Sequence, residues 1–258
     1  MSSSLPVNTF RYIPKIVPYP GNPITSSTTI NIPGQYVLVV AVGAGGAGAG
    51  AGGETCQAGN GGSTIVSNSS QSIIAGGGGG GWSGNYNGSS SVCEGCKYGL
   101  GGAGGIGSVS NVEYYQILNG NAGFPGGSNY GGSGNTILAG YNAAIQQVLS
   151  MAGLAPSATV SIPSAPGTDS SEGSGYGAGG GGSSGTSGNG GGGGGSGAVV
   201  IGLMSSGTFN ITVAPLNTQV TTCAGYTNSS YAYGMPGVVY LFQILSCDLS
   251  AVKFPYLP

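Results

Sequence analysis

Glycine falls in runs along this chain, and each run is entered or left by a short apolar segment. Tyr36-Val37-Leu38-Val39-Val40-Ala41-Val42 opens into the Gly/Ala stretch 43–53. Ser72-Ile73-Ile74-Ala75 opens into the unbroken glycine run 76–81. The longest stretch, 173–197, leads into Ala198-Val199-Val200-Ile201. Such runs have no side chains to bury, and each Gly costs about 1 kcal/mol relative to Ala in an α-helix. Two states remain. One is a flexible linker with coil statistics. The other is an extended helix of three residues per turn near polyproline II, bonded sideways to similar runs. Ordering glycine is entropically costly, so only many lateral bonds in one cooperative body offset it. The β-branched flanks favour the packed state, since linkers are normally bordered by polar residues.

Composition narrows the class. Of 258 residues, 58 are Gly, 39% are hydrophobic and only 4% are charged, with a net charge of −2. Disordered chains usually carry more charge and less apolar content. Lys and Arg total four, far too few for a phosphate-tracking surface, so no nucleic-acid partner is expected. There is no His, which removes the commonest general base and metal ligand. The acids Glu54, Glu94, Glu113, Asp169, Glu172 and Asp248 form no paired-carboxylate or metal-loop pattern. G-x-G-x-x-G spellings recur throughout and carry no information, and no Gly-Lys-Ser/Thr follows any run. Neither an enzyme nor a cofactor or metal site is expected. No apolar run reaches the roughly 20 residues that span a bilayer, and the N-terminus lacks the pattern of a signal peptide.

Cys93-Glu94-Gly95-Cys96 is a CxxC with neither a second CxxC nor a His to complete a zinc site. A local Cys93–Cys96 disulfide, free thiols, or a redox or metal role all stay open. The cysteines number five, so at least one is unpaired within the chain or paired with another chain.

Three regions are expected. Residues 1–34, rich in proline, form an extended arm with Phe10, Tyr12, Ile16 and Tyr19 as its docking side chains. The arm lies either on a neighbouring subunit or on its own domain. Residues 35–247 form a glycine-rich β domain, and 248–258 a C-terminal extension. Within the domain, 35–42 reads as a strand buried on both faces, and 63–66 with 72–75 as a hairpin. Ser108 to Leu118 is either strand or short helix. The three-to-four spacing of Ile137, Leu138, Tyr141, Ala144, Ile145, Val148 and Leu149 predicts a helix over 136–152, capped at Asn135 or Thr136 and weakened by Gly140. Strands are expected at 157–162, 198–204, 208–213 and 237–245, with a turn at Gly207. Segment 164–197 is the most linker-like by composition. The fold class is mainly β, with short strands framing packed, polyglycine II-like segments.

Tyr supplies 15 of the aromatic residues. With Ser, Gly and Asn it makes adaptable recognition surfaces, and Tyr and Trp stack on sugar rings. The loops around Trp82 and Tyr86, Phe124 to Tyr130, and Tyr226 to Tyr233 supply the receptor-contact candidates Trp82, Tyr86, Tyr98, Tyr130, Tyr226, Tyr231 and Tyr233. Tyr serving as the default aromatic of a neutral protein with a thin core is the plainer reading.

The strand-then-glycine pattern of 36–46, the second run, and 190–197 entering Ala198-Val199-Val200-Ile201 resembles the glycine-rich domain of phage tail-fibre and related virion proteins. It is also similar to the distal adhesins of T-even-like long tail fibres. The resemblance spans roughly 35–201 and does not extend to the proline-rich N-terminus. It implies a virion surface protein with a packed polyglycine II body, whose loops contact a host surface glycan or protein. It also implies other virion proteins as partners in a larger assembly. A capsid or cement protein without a receptor, and a cell-wall or matrix protein, are the alternatives.

Overall fold

The computed structural model describes residues 14–50, 57–84, 98–128, 130–137, 139–154, 158–184, 190–217 and 232–246. The protein is mainly β, with one helix among these residues. Its strands are β1 (Pro14–Pro18), β2 (Thr28–Val42), β3 (Thr64–Ser67), β4 (Ser72–Ala75), β5 (Gly107–Ser110), β6 (Tyr114–Leu118), β7 (Ser164–Ala165), β8 (Ser174–Gly175), β9 (Val199–Thr212) and β10 (Val238–Ser246), and α1 is Tyr141–Met151.

An eight-stranded antiparallel sheet runs β1-β10-β2-β9-β3-β4-β5. Strand β9 pairs with β2 along one edge and shares its other edge between β6 and β3. The apolar run of β2 is buried from Val37 to Val42, because it faces two cores. Leu38, Val40 and Val42 join Val199, Ile201, Tyr240 and the helix residues Ile145, Val148 and Leu149. Val37, Val39 and Ala41 join Val200, Leu241, Phe209 and the hairpin residues Val66 and Ile73. The expected hairpin forms in register from Thr64↔Ala75 to Ser67↔Ser72. Residues 108–118 form two strands, β5 and β6, rather than a helix.

Four expectations are corrected. The helix begins at Tyr141, not 136, because Gly140 adopts φ 104 and no side-chain cap is present. Asn135 is already bonded through its backbone to Gly194 and Gly179. Residues 158–162 form no strand. The polar face of α1 takes their backbone groups instead: Asn142 bonds both N–H and C=O of Val160 (3.0 and 3.1 Å), and Gln146 donates to the Ala158 carbonyl at 2.7 Å. The turn expected at Gly207 is absent, and β9 runs straight through it. Gly207 sits at φ 136 beside the register shift between Ile32 and Tyr36 of β2. The boundary expected near 34 falls inside β2. Upstream of it, β1 pairs with β10 from Pro14↔Ser246 to Pro18↔Phe242. Ile16 packs on one core and Tyr19 on the other, so from Pro14 the arm is laid on its own sheet. Phe10, Tyr12 and the extension 248–258 lie outside the described residues.

The glycine runs continue the strands into a second body. Its axis is run 190–198. Successive N–H groups there donate to three different runs in strict rotation. Gly190, Gly193 and Ser196 donate to Gly127, Phe124 and Asn121; Gly191, Gly194 and Gly197 to Ser183, Gly180 and Gly177; Gly192, Gly195 and Ala198 to Trp82, Gly79 and Gly76. Its carbonyls accept in the same rotation. Gly99, Gly102 and Gly105 bond to Gly190, Gly193 and Ser196; Gly132 and Asn135 to Gly191 and Gly194; Ala49, Gly46 and Gly43 to Gly192, Gly195 and Ala198. A period of three with outward-pointing amides is the bonding pattern expected of an extended helix with three residues per turn.

The six surrounding runs are bonded to one another in a closed ring. In order, 76–82 joins 43–50 (Gly78 to Ala44), which joins 177–183 (Gly180 to Gly46), then 131–137 (Gly182 to Gly132) and 119–127 (Phe124 to Ser133). Run 98–106 closes the ring by accepting from Gly123 and, on its other side, from Gly79. Further chain lies outside it: 57–62, 167–171 and 232–236. The expected linker 164–197 therefore supplies, in its described part, the axis 190–197, the ring run 177–183 and the outer stretch 167–171. Cβ-less backbone is required at this spacing. A Cβ on Gly194 would sit 2.0 Å from the Gly46 carbonyl oxygen.

Candidate functional site

The connectivity gives the molecule two different ends. Every run that meets a strand does so at the Ala198 level, where β2, β3, β4, β5, β6, β9 and β10 begin or end. At the opposite level, that of Gly190 to Gly192, lie Ala49, Trp82, Leu100, Gly127 and Ser183. Runs 119–127 and 131–137 join there by a tight turn in which the Gly127 N–H donates to the Tyr130 carbonyl at 2.9 Å. At about 3.1 Å per residue the body separates its two ends by roughly 25 Å. The first and last described residues, Pro14 and Ser246, pair at the far end of the sheet.

Three of the sequence-predicted receptor residues come together at the outer end. Trp82 is half-buried, bridges Gln57, and is fixed through its backbone to Leu100 and Gly192 (each 2.8 Å). Tyr98 is half-buried beside Gly99, which donates to the Gly190 carbonyl. Tyr130 is 59% exposed. Tyr233 sits farther in and is half-buried, between Ala232, which accepts from Gly48, and Gly234, which bridges Asn217. Tyr86, Tyr226, Tyr231, Cys93 and Cys96 lie outside the described residues.

Two features at this end were not among the receptor-contact candidates, although Phe124 bounds one of the aromatic loops named from sequence. Phe124 is 56% exposed on the flank. Asp169 accepts the Gly131 N–H at 3.1 Å, in place of the carbonyl that a further glycine run would supply. Asn60 and Ser196 act similarly, accepting the N–H groups of Gly80 and Asn121 at 2.8 Å each. The only signal for Asp169 was a lone acid in a Ser/Gly stretch, Gly167-Thr168-Asp169-Ser170-Ser171.

The chemistry available is neutral. Among the described residues the glycine body carries only Asp169 and Glu172 as charged groups, both exposed. No group of three His, Cys, Asp or Glu is placed to hold a metal among them. No helix among them is long and apolar enough to cross a membrane. Burial raises the Tyr240 hydroxyl above its ordinary pKa, with smaller contributions from Tyr176 and Tyr141. That group is structural, donating to the Ser161 carbonyl at 2.9 Å. The outer end can therefore present aromatic faces and hydrogen-bonding groups on a rigid base. No family model matches the chain, and neither a curated protein nor a solved structure does.

Proposed function

We propose that the protein is a virion surface adhesin, anchored to other virion proteins at its sheet end and meeting the host cell at its outer end. The observation that carries this reading is the polarity of the molecule. Trp82, Tyr98 and Tyr130 gather at one end of a hydrogen-bonded body, and the paired strands β1 and β10 reach their Pro14–Ser246 limit at the opposite end. Recognition residues are commonly held on loops by a rigid scaffold. Ordering cost is then met in folding rather than at the moment of binding.

The test is adsorption. Trp82→Ala and Tyr130→Ala particles should assemble normally and lose host adsorption. A cement protein would give the opposite result, with unchanged adsorption and particles that fall apart when the chain is removed. A matrix protein would be absent from purified particles.

A further inference from the structure

The turn that joins runs 119–127 and 131–137 holds an aromatic ring and a carboxylate in adjacent positions. The Tyr130 ring lies on Gly127. A Cβ there would come within 2.2 Å of the ring's Cζ and 2.6 Å of its hydroxyl. Gly127 is itself bonded through its N–H to Tyr130 and through its carbonyl to Gly190, each at 2.9 Å. One side of the ring is thus backed by fixed backbone while the residue remains 59% exposed. The next residue, Gly131, donates to Asp169 Oδ1, which also accepts from the Ser170 hydroxyl at 3.3 Å. Asp169 is exposed, and its second oxygen has no partner among the described residues.

We propose that this turn is a subsite for an uncharged or amino-bearing pyranose, a deepening that rests on the adhesin reading. A pyranose has an apolar C–H face and a rim of hydroxyls. The C–H face stacks on the exposed side of Tyr130, whose apolar ring and polar tip suit a wet surface. A rim hydroxyl donates to Asp169 Oδ2 in a charge-assisted bond. Asp169 and Glu172 are the only charged groups on the described body, so anionic sugars are disfavoured by repulsion. Gly127 has a specific part. Any side chain there displaces the far end of Tyr130 rather than backbone, so the platform is lost while the body stays intact.

The experiment uses the full chain against immobilised oligosaccharides of three kinds: neutral hexose and N-acetylhexosamine, amino-sugar, and sialylated or sulfated. Binding of the same protein to cells that adsorb the particle is measured in parallel. Wild type should bind neutral or amino-sugar probes. Tyr130→Ala and Gly127→Ala should each weaken this by about tenfold or more, and Asp169→Asn by roughly tenfold, the scale of one charge-assisted bond. Tyr130→Phe should retain binding. Asp169→Asn keeps an oxygen for the Gly131 N–H, so a folding defect is separated from a lost contact by its unchanged melting temperature. Binding to no glycan, binding only to the anionic set, or neutral binding that all three variants preserve would each overturn the subsite. Cells bound equally by wild type and these variants, but not by Trp82→Ala, would sink the subsite and leave the adhesin reading standing. Failure of wild type to bind cells at all would remove the adhesin reading itself.

Discussion

The sheet and the glycine body share their chains yet are held together differently. In the sheet, alternation of side chains builds two apolar cores, and Leu38, Ile145, Ile201 and Leu241 are fully buried. In the body the interior has almost no side chains, and Ala47, Ala49 and Ala58 form its small apolar cluster. Cohesion there comes from close backbone approach and from N–H···O=C bonds that run in six directions around 190–198. Each such bond has a net worth of about 1 kcal/mol, so the body is stable only as a unit. A core made of side chains relaxes around a defect. A lattice made of backbone cannot, because the atom in the way is another chain's carbonyl.

Substitutions should therefore be far more costly in the body. Gly194→Ala is the largest expected effect. Its Cβ would meet the Gly46 carbonyl oxygen at 2.0 Å, and a loss above about 4 kcal/mol is expected, visible as failure to yield folded protein. Leu38→Ala, in the sheet, should cost about 2–5 kcal/mol and leave a cooperative chemical denaturation curve. Asn142→Ala removes the partner of both backbone groups of Val160 and should lower stability by about 1–2 kcal/mol in the same assay. Smaller still is Gly140→Ala. Nothing lies within 4 Å of the added Cβ, and only the φ of 104 opposes it, for about 1 kcal/mol.

The sheet also carries a pH signature. Tyr240 has its pKa raised by burial and then by Tyr176 and Tyr141. Folding thus favours the protonated form. Its contribution is fully present below the unfolded tyrosine value of about 10 and is lost as pH rises through the higher folded value. Denaturation midpoints should fall above about pH 10, and Tyr240→Phe should flatten that fall.

Much of the sheet was legible in the sequence, and the reason is side chains. The uninterrupted apolar run of β2 announced burial on both faces, and the Ser67-Asn68-Ser69-Ser70 turn announced the hairpin. The helix was read too long because apolar spacing continues through Ile137, whereas Gly140 resets the backbone. Segment 157–162 looked like a strand because Val160 and Ile162 alternate with polar residues. That alternation instead fits residues facing the core under α1. The body was legible as a kind of packing but not as an arrangement. Glycine runs are nearly identical to one another, so nothing in 190–197 tells which six runs surround it. Register is imposed by the strands at one end and by Asn60, Asp169 and Ser196, whose side chains stand in for missing carbonyls. The candidate site was only partly visible for the same reason. Trp82, Tyr98 and Tyr130 were chosen as aromatics in loops, but their gathering at one end follows from how the runs are threaded.

The most direct test of this account is backbone amide hydrogen exchange on the isolated protein over 43–49, 76–82 and 190–198. A single cooperative lattice predicts slow exchange at Gly192, Gly193 and Gly194 alike, although they donate to three different runs. It also predicts that these amides open together, with protection comparable to that of Val39 and Val200 in the sheet. Exchange within seconds along these runs, with the strands still protected, would show the glycines to be linkers and would contradict the account.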